Sequence, residues 1–237
     1  MTEEERLHRY NELKKLRDDL VADVAAPLFK YRTENKYFPV IGEGTHDASI
    51  VFVGEAPGKT EATTGRPFCG AAGKFLDVML ESIGLDRKTV YITNLVKDRP
   101  PENRDPTPEE IAYYSPLLIK QLEIIKPSCV VTLGRYSMAF LMQHYGLGES
   151  LAPISQIHGK VFTPKTGSMS IVTLYHPAVA LYNGGMRVTL LEDFKILEQF
   201  MNKNVETNAV DREITEELNM AEELGLEEKK ETQTTLF

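Results

Sequence analysis

Apolar positions recur along this chain with two different periods. Over Glu3–Val24 they fall at Leu7, Tyr10, Leu13, Leu16 and Leu20, a helical spacing. Residues 25–48 break the pattern, with Pro27, Pro39, Gly42 and Gly44 punctuating an irregular stretch. Beyond it, short continuous apolar runs alternate with helical ones. Ser49–Gly54, Val90–Leu95, Cys129–Leu133 and Ser170–Leu174 have the length of buried strands. Ala72–Ile83 (closed by Gly84), Pro106–Ile125, Arg135–His144 and Arg187–Asn202 read as helices, and Thr107 is placed to cap the second, with Pro108 in its first turn. There is no internal repeat. Strands separated by helices predict an α/β fold whose parallel sheet is covered on both faces. Such a sheet puts its ligand crevice beyond the carboxyl ends of its strands.

The chain has 237 residues, 42% of them hydrophobic, which predicts one compact domain plus tails. We place the domain at 1–203 and an acidic, partly disordered tail at 204–237, with a short helix over Glu213–Glu223 and a mobile last dozen residues. The formal net charge of −8 argues weakly against a nucleic-acid partner, because it is concentrated. Residues 201–237 carry 4 basic against 10 acidic residues, net −6, leaving 23 against 25, net −2, in residues 1–200. A near-neutral body can present a local basic face. No apolar run approaches the ~20 residues of a membrane span, and the charged start Met1–Arg6 is followed by no apolar segment. A cytoplasmic protein without membrane contact is expected, with Cys69 and Cys129 as buried free thiols.

Three strand ends carry the unusual chemistry. After the first strand comes Gly54-Glu55-Ala56-Pro57-Gly58-Lys59-Thr60-Glu61. After the second come Thr93-Asn94 and then Lys97-Asp98-Arg99-Pro100-Pro101-Glu102-Asn103-Arg104. After the fourth comes Tyr175-His176-Pro177-Ala178. A parallel sheet brings all three to one edge. Between the first two lies Gly65-Arg66-Pro67-Phe68-Cys69-Gly70, a glycine-bounded loop offering an aromatic face. Gly54–Thr60 imitates a phosphate-binding loop. It has three residues between its glycines where that loop needs four, and Pro57 removes an N–H that a phosphate cradle would use.

Together with Ala71-Ala72-Gly73 and Tyr91–Lys97, these segments resemble the uracil-DNA glycosylase superfamily, specifically its family 4, in order and spacing over about residues 25–200. The resemblance implies a three-layer α/β/α sandwich with a central four-stranded parallel sheet. It also implies a monofunctional N-glycosylase that flips deoxyuridine out of DNA and starts base excision repair. Such an enzyme must stabilise the departing uracil anion and admit water to the sugar carbon. By resemblance, Phe68 stacks on uracil, Asn94 reads its edge, and His176 donates to the oxygen that gathers charge. Glu55 lies by the sugar, to orient or activate the water or stabilise the cationic sugar. Glu61 lies at the uracil C5 edge, where it helps exclude the thymine methyl, and Asn103 is a further polar contact. Backbone N–H groups around Ala56 and Gly58 complete the pocket. Lys97, Arg99, Arg104 and Arg187 are expected to grip DNA. The segment from Ala180 to Arg187 would bring Leu181 or Tyr182 into the vacated stack. The alternative is a module that recognises uracil or DNA damage without cutting.

Family 4 usually carries a [4Fe–4S] cluster on four cysteines. The matching positions here are Asp23, Ala26, Asp98 and Tyr114. Two thiols elsewhere cannot supply four thiolates, so no cluster, other cofactor or catalytic metal is expected. Local hydrogen bonds or a salt bridge are expected at Asp23 and Asp98. The last five residues resemble peptides that dock on DNA sliding clamps, with Gln233 at the rim and Leu236 and Phe237 as apolar anchors. A monomer is expected.

Overall fold

The structure, a computed structural model, describes residues 2–165 and 169–198. The elements below belong to one compact unit, Met1–Ile196; a second, Leu197–Phe237, lies almost wholly outside the described residues. The acidic tail, its expected helix and the clamp-like peptide therefore fall outside them too.

Six strands form one sheet in the order β1-β3-β2-β4-β6-β5. The four central ones, β3 (Tyr91–Asn94), β2 (Ile50–Gly54), β4 (Cys129–Leu133) and β6 (Ser170–Leu174), are mutually parallel. Nearly every residue in them is buried, as a parallel sheet covered on both faces requires. These are the four strands expected from the apolar runs. Two short antiparallel edge strands were not expected: β1 (Glu43–Gly44) on β3 and β5 (Lys160–Phe162) on β6. They are two and three residues long and partly exposed, so they carry no apolar run.

Helices pack on both faces. On one, Val51, Val53, Tyr91, Val130 and Ile171 meet α1 (Glu3–Ala22), α5 (Pro108–Ile125) and α6 (Arg135–His144) through Leu13, Leu118, Leu122 and Leu141. On the other, Phe52 stacks on Phe194 with ring centroids 5.8 Å apart. Phe194 lies on a closing helix, α9, that opens at 186. Arg187 of α9 sits over the Phe75 ring of α4 (Ala71–Ser82), joining those two helices. The helix starts are locally encoded. Thr107 caps α5 in a reciprocal box with Glu110, and Thr2 does the same for α1 with Glu5. Four further helices are too short for the periodicity to show: α2 (Phe29–Glu34), α3 (Lys59–Thr64), α7 (Ile154–Ile157) and α8 (Val179–Tyr182).

The chain leaves β2 toward β3 on one side and returns across it to β4 and β6 on the other. The switch in direction lies between β2 and β4. The carboxyl ends of all four parallel strands point to one edge, and the loops that leave them build the site.

Candidate active site

At the end of β2 the backbone must be glycine. A Cβ at Gly54 would overlap the Asn94 side-chain oxygen and the Phe68 ring. Phe68 has φ of +47°, the left-handed region that costs a non-glycine residue on the order of 1 kcal/mol. Its carbonyl lies against Gly73 of α4, where any Cβ would collide with it. The loop is thereby pressed between the strand end and the helix, with the Phe68 ring fixed at the cleft floor and 5.5 Å from the His176 ring.

Asn94 ends β3. It is 2% exposed, and its Oδ1 is, among the described residues, the one buried side-chain polar atom without a hydrogen-bond partner. An orphaned buried acceptor costs about 1–3 kcal/mol, so its retention asks for a ligand that donates to it. His176 follows β6. Its Nδ1 accepts from the Ala178 N–H at 3.1 Å, which leaves the ring proton on Nε2. Burial pushes its pKa down to about 4, so it is a neutral donor at physiological pH. Glu55 follows Gly54. Burial, and then the Asp105 carboxylate, push its pKa up to about 7, opposed by Arg135.

One cleft of about 370 Å³ takes in these groups. Glu55, Ala56, Gly58, Glu61, Phe68, Asn94, Asn103, Arg104, His176 and Leu181 all line it, together with Tyr182. Tyr182, at the end of α8, is 91% exposed against 44% for Leu181. Asn103 closes a turn in which it and Glu102 both have positive φ, and its Oδ1 accepts from Arg99 Nε at 2.8 Å.

Lys97 corrects an expectation. It was expected at the DNA-facing mouth; it is 0% exposed and turned into the core. Its Nζ donates to Thr93 Oγ1 at 2.8 Å, the Asn94 carbonyl at 2.6 Å and Gln121 Oε1 at 2.5 Å. Burial pushes its pKa well below the ordinary lysine value. It braces the end of β3 and cannot reach a phosphate. The other basic residues are also engaged. Arg99 Nη1 donates to the Tyr37 hydroxyl, and Arg104 grips Glu110 through two bonds of 2.9 and 2.6 Å while still lining the cleft. Arg187, over Phe75, is exposed but does not line it. Cys129 is buried and Cys69 only half-buried; both are free. The residues missed were Arg135 and Asp105, which pair at 2.5 Å and set the Glu55 field. Arg135 follows Gly134 at the end of β4, so the strand-end logic that located the other three loops also points to this fourth one.

The four positions matching the cluster cysteines do not fit a [4Fe–4S] cluster. Asp98 accepts two bonds from Arg32 Nη1, at 3.1 and 2.9 Å, and one from the Tyr114 hydroxyl at 2.6 Å. Arg32 Nη2 donates onward to the carbonyls of Leu20 and Val21 at the end of α1. Asp23 accepts from the Tyr113 hydroxyl and the Ala25 N–H, and Ala26 is buried beside Tyr114. The donor set is oxygen and guanidinium where the cluster needs thiolate. Among the described residues, no group of three or more His, Cys, Asp and Glu could hold a metal ion.

The family model described as the uracil DNA glycosylase superfamily matches residues 41–200, a span holding Glu55, Phe68, Asn94 and His176. The chain belongs to the uracil DNA glycosylase superfamily. Among its relatives, the Type-4 uracil-DNA glycosylase of Sulfurisphaera tokodaii is 44% identical over 190 residues, 79% of this chain and 84% of that one. The Archaeoglobus fulgidus Type-4 enzyme is 42% identical over 194 residues, 80% and 96% of the two chains. That of Thermotoga maritima is 40% identical over 181 residues, 76% and 89%. Superfamily membership agrees with a cleft at the carboxyl ends of the parallel strands.

Proposed function

We propose that this chain is a monofunctional uracil-DNA glycosylase, and that the orphaned Asn94 Oδ1 in one cleft with a neutral His176 is the observation that carries the reading. Uracil presents O2, N3–H and O4 along its pairing edge. Asn94 Oδ1 takes the N3–H and its amide nitrogen donates to O4, a pairing that cytosine, with its donors and acceptors exchanged, cannot make. Phe68 supplies the stacking face. As the bond from N1 to the sugar carbon breaks, its electron pair passes to the base, and His176 Nε2–H donates to O2 where that charge gathers. Water adds to the sugar carbon and gives its proton to Glu55, whose carboxyl is poised near neutrality for that role. A carboxyl in the cleft whose pKa burial raises to about 7 favours cutting over binding alone, because it can take up a proton near neutral pH. Tyr182 and Leu181, exposed side chains that line the cleft, are the candidates to fill the vacated stack. Arg99, Arg104, Arg187 and the missed Arg135 are the basic groups for phosphate contact.

In this reading the enzyme acts as a monomer, within a domain over 1–203, in the cytoplasm and at the nucleoid, without a cluster or other cofactor. The Arg32–Asp98–Tyr114 network takes the structural role of the missing cluster. The tail over 204–237 tethers the clamp peptide, and Gln233, Leu236 and Phe237 bind a sliding clamp, which raises the local concentration at replicated DNA. The activity is tested by alkaline strand cleavage of oligonucleotides carrying uracil, hypoxanthine, xanthine or thymine, in EDTA. Uracil is cut and thymine is not; intact uracil strands would defeat the proposal. Clamp docking is tested by pull-down of the full chain and of a version ending at Thr232. Only the full chain should be retained.

A further inference from the structure

Glu61 differs from the other acidic group of the cleft in that its carboxylate is already engaged. Its Oε1 accepts from the Cys69 N–H at 3.1 Å and the Gly70 N–H at 2.7 Å. Gly70 is the N-cap residue of α4 and supplies no side-chain cap of its own. An acceptor there satisfies the N-cap amide that the helix start would otherwise leave open, together with the amide just before it, and a negative charge suits the positive end of the helix. The carboxylate is closely fitted. A Cβ at Gly58 would come within 2.7 Å of Oε2, and one at Gly70 within 3.0 Å of Oε1. The two amides directly follow Phe68, whose left-handed backbone persists only if its surroundings hold it there. On its outer side the loop is held by Arg87, which donates to the Pro67 carbonyl at 2.8 Å, and by an exposed Arg66–Glu43 pair. On the cleft side Glu61 holds it.

We infer that Glu61 is a positioning residue that caps α4 from α3 and locks Phe68 in the geometry that stacks on the base. This rests on the uracil-pocket reading for what stacks there, and it differs from direct repulsion of the thymine methyl by Glu61. Hydrogen exchange at the Cys69 and Gly70 amides, read by NMR on the DNA-free protein, tests the capping without any catalysis. The two readings can therefore fail separately. Wild type and Glu61→Gln, which keeps an acceptor oxygen, should protect both amides. Glu61→Ala should exchange them about tenfold faster or more, the factor one charge-assisted hydrogen bond is worth. In Glu61→Gln, losing the charge should move both amide protons upfield, a readout that remains if the alanine variant does not fold. On a single-stranded uracil oligonucleotide, Glu61→Ala should raise KM about tenfold with a smaller change in kcat, and Glu61→Gln should restore KM. Thymine excision should stay at background in all three. Unchanged protection in Glu61→Ala, unmoved shifts in Glu61→Gln, or thymine excision gained at an unchanged uracil KM would each overturn the inference.

Discussion

Asn94 and Asp98 stand four residues apart on the same strand exit, and both are buried, yet their surroundings differ. Both carboxylate oxygens of Asp98 are answered, by Arg32 and by Tyr114, and Arg32 passes its Nη2 donors to the end of α1. Asn94 has its backbone carbonyl held by Lys97 and its side-chain oxygen left open. The first arrangement ties α1, α2, α5 and the β3 exit together; the second carries a cost until something enters the cleft. Burial of polar groups alone does not separate structure from function here. Whether their hydrogen bonds are complete does.

The largest effect should come from breaking the completed cluster. Asp98→Ala leaves the Arg32 guanidinium buried and unpaired, and should cost about 3–5 kcal/mol of stability, read by urea unfolding. The double change Arg32→Met with Asp98→Leu should recover most of that loss. No recovery would mean that the network is more than a satisfied ion pair. The opposite behaviour is expected across the cleft. His176→Ala should slow single-turnover uracil excision by on the order of 10²-fold with little change in unfolding temperature.

Glu55 sharpens the same contrast through pH. Its folded pKa of about 7 lies above its ordinary 4.5. The protonated form is therefore the one that folding favours. Its contribution to stability is fully present below pH 4.5 and is lost as pH rises through about 7, while the carboxylate needed as base appears over the same window. Excision should fall about tenfold per pH unit below 7. Glu55→Gln should be slow, flat in pH, and more resistant to unfolding than wild type above pH 7. A wild-type rate that is flat from pH 5 to 8 would remove Glu55 as the titrating base.

The smallest effect concerns Lys97, whose charge is internal. Lys97→Met should lower stability but leave the salt dependence of DNA binding unchanged, whereas Arg135→Ala should reduce that slope by about one phosphate contact. A reduced slope in Lys97→Met would restore it to the DNA face.

The four parallel strands were legible because burial on both faces writes them as unbroken apolar runs. Their ends located the segments that hold Glu55, Asn94 and His176, because a parallel sheet gathers those ends at one edge; the resemblance to the superfamily singled out those three residues within them. The edge strands β1 and β5 were not legible, since two or three half-exposed residues leave no pattern. Lys97 was misread because adjacency to Asp98 and Arg99 suggested a basic surface, and its acceptors Thr93 and Gln121 become visible only in three dimensions. The Arg32 partner of Asp98 was hidden for the same reason, lying 66 residues away in the chain. Of the two bonding modes expected at Asp98, local hydrogen bonds or a salt bridge, the structure shows the salt bridge, with a partner the sequence did not point to.

Asn94→Ala tests the central claim most directly, with uracil excision under single turnover and thermal unfolding measured on the same preparation. If the open acceptor is kept for the base, excision should fall by on the order of 10²-fold or more, and the protein should unfold at the wild-type temperature or above it. Full excision in the variant, or a loss of activity that only follows a loss of stability, would contradict the account.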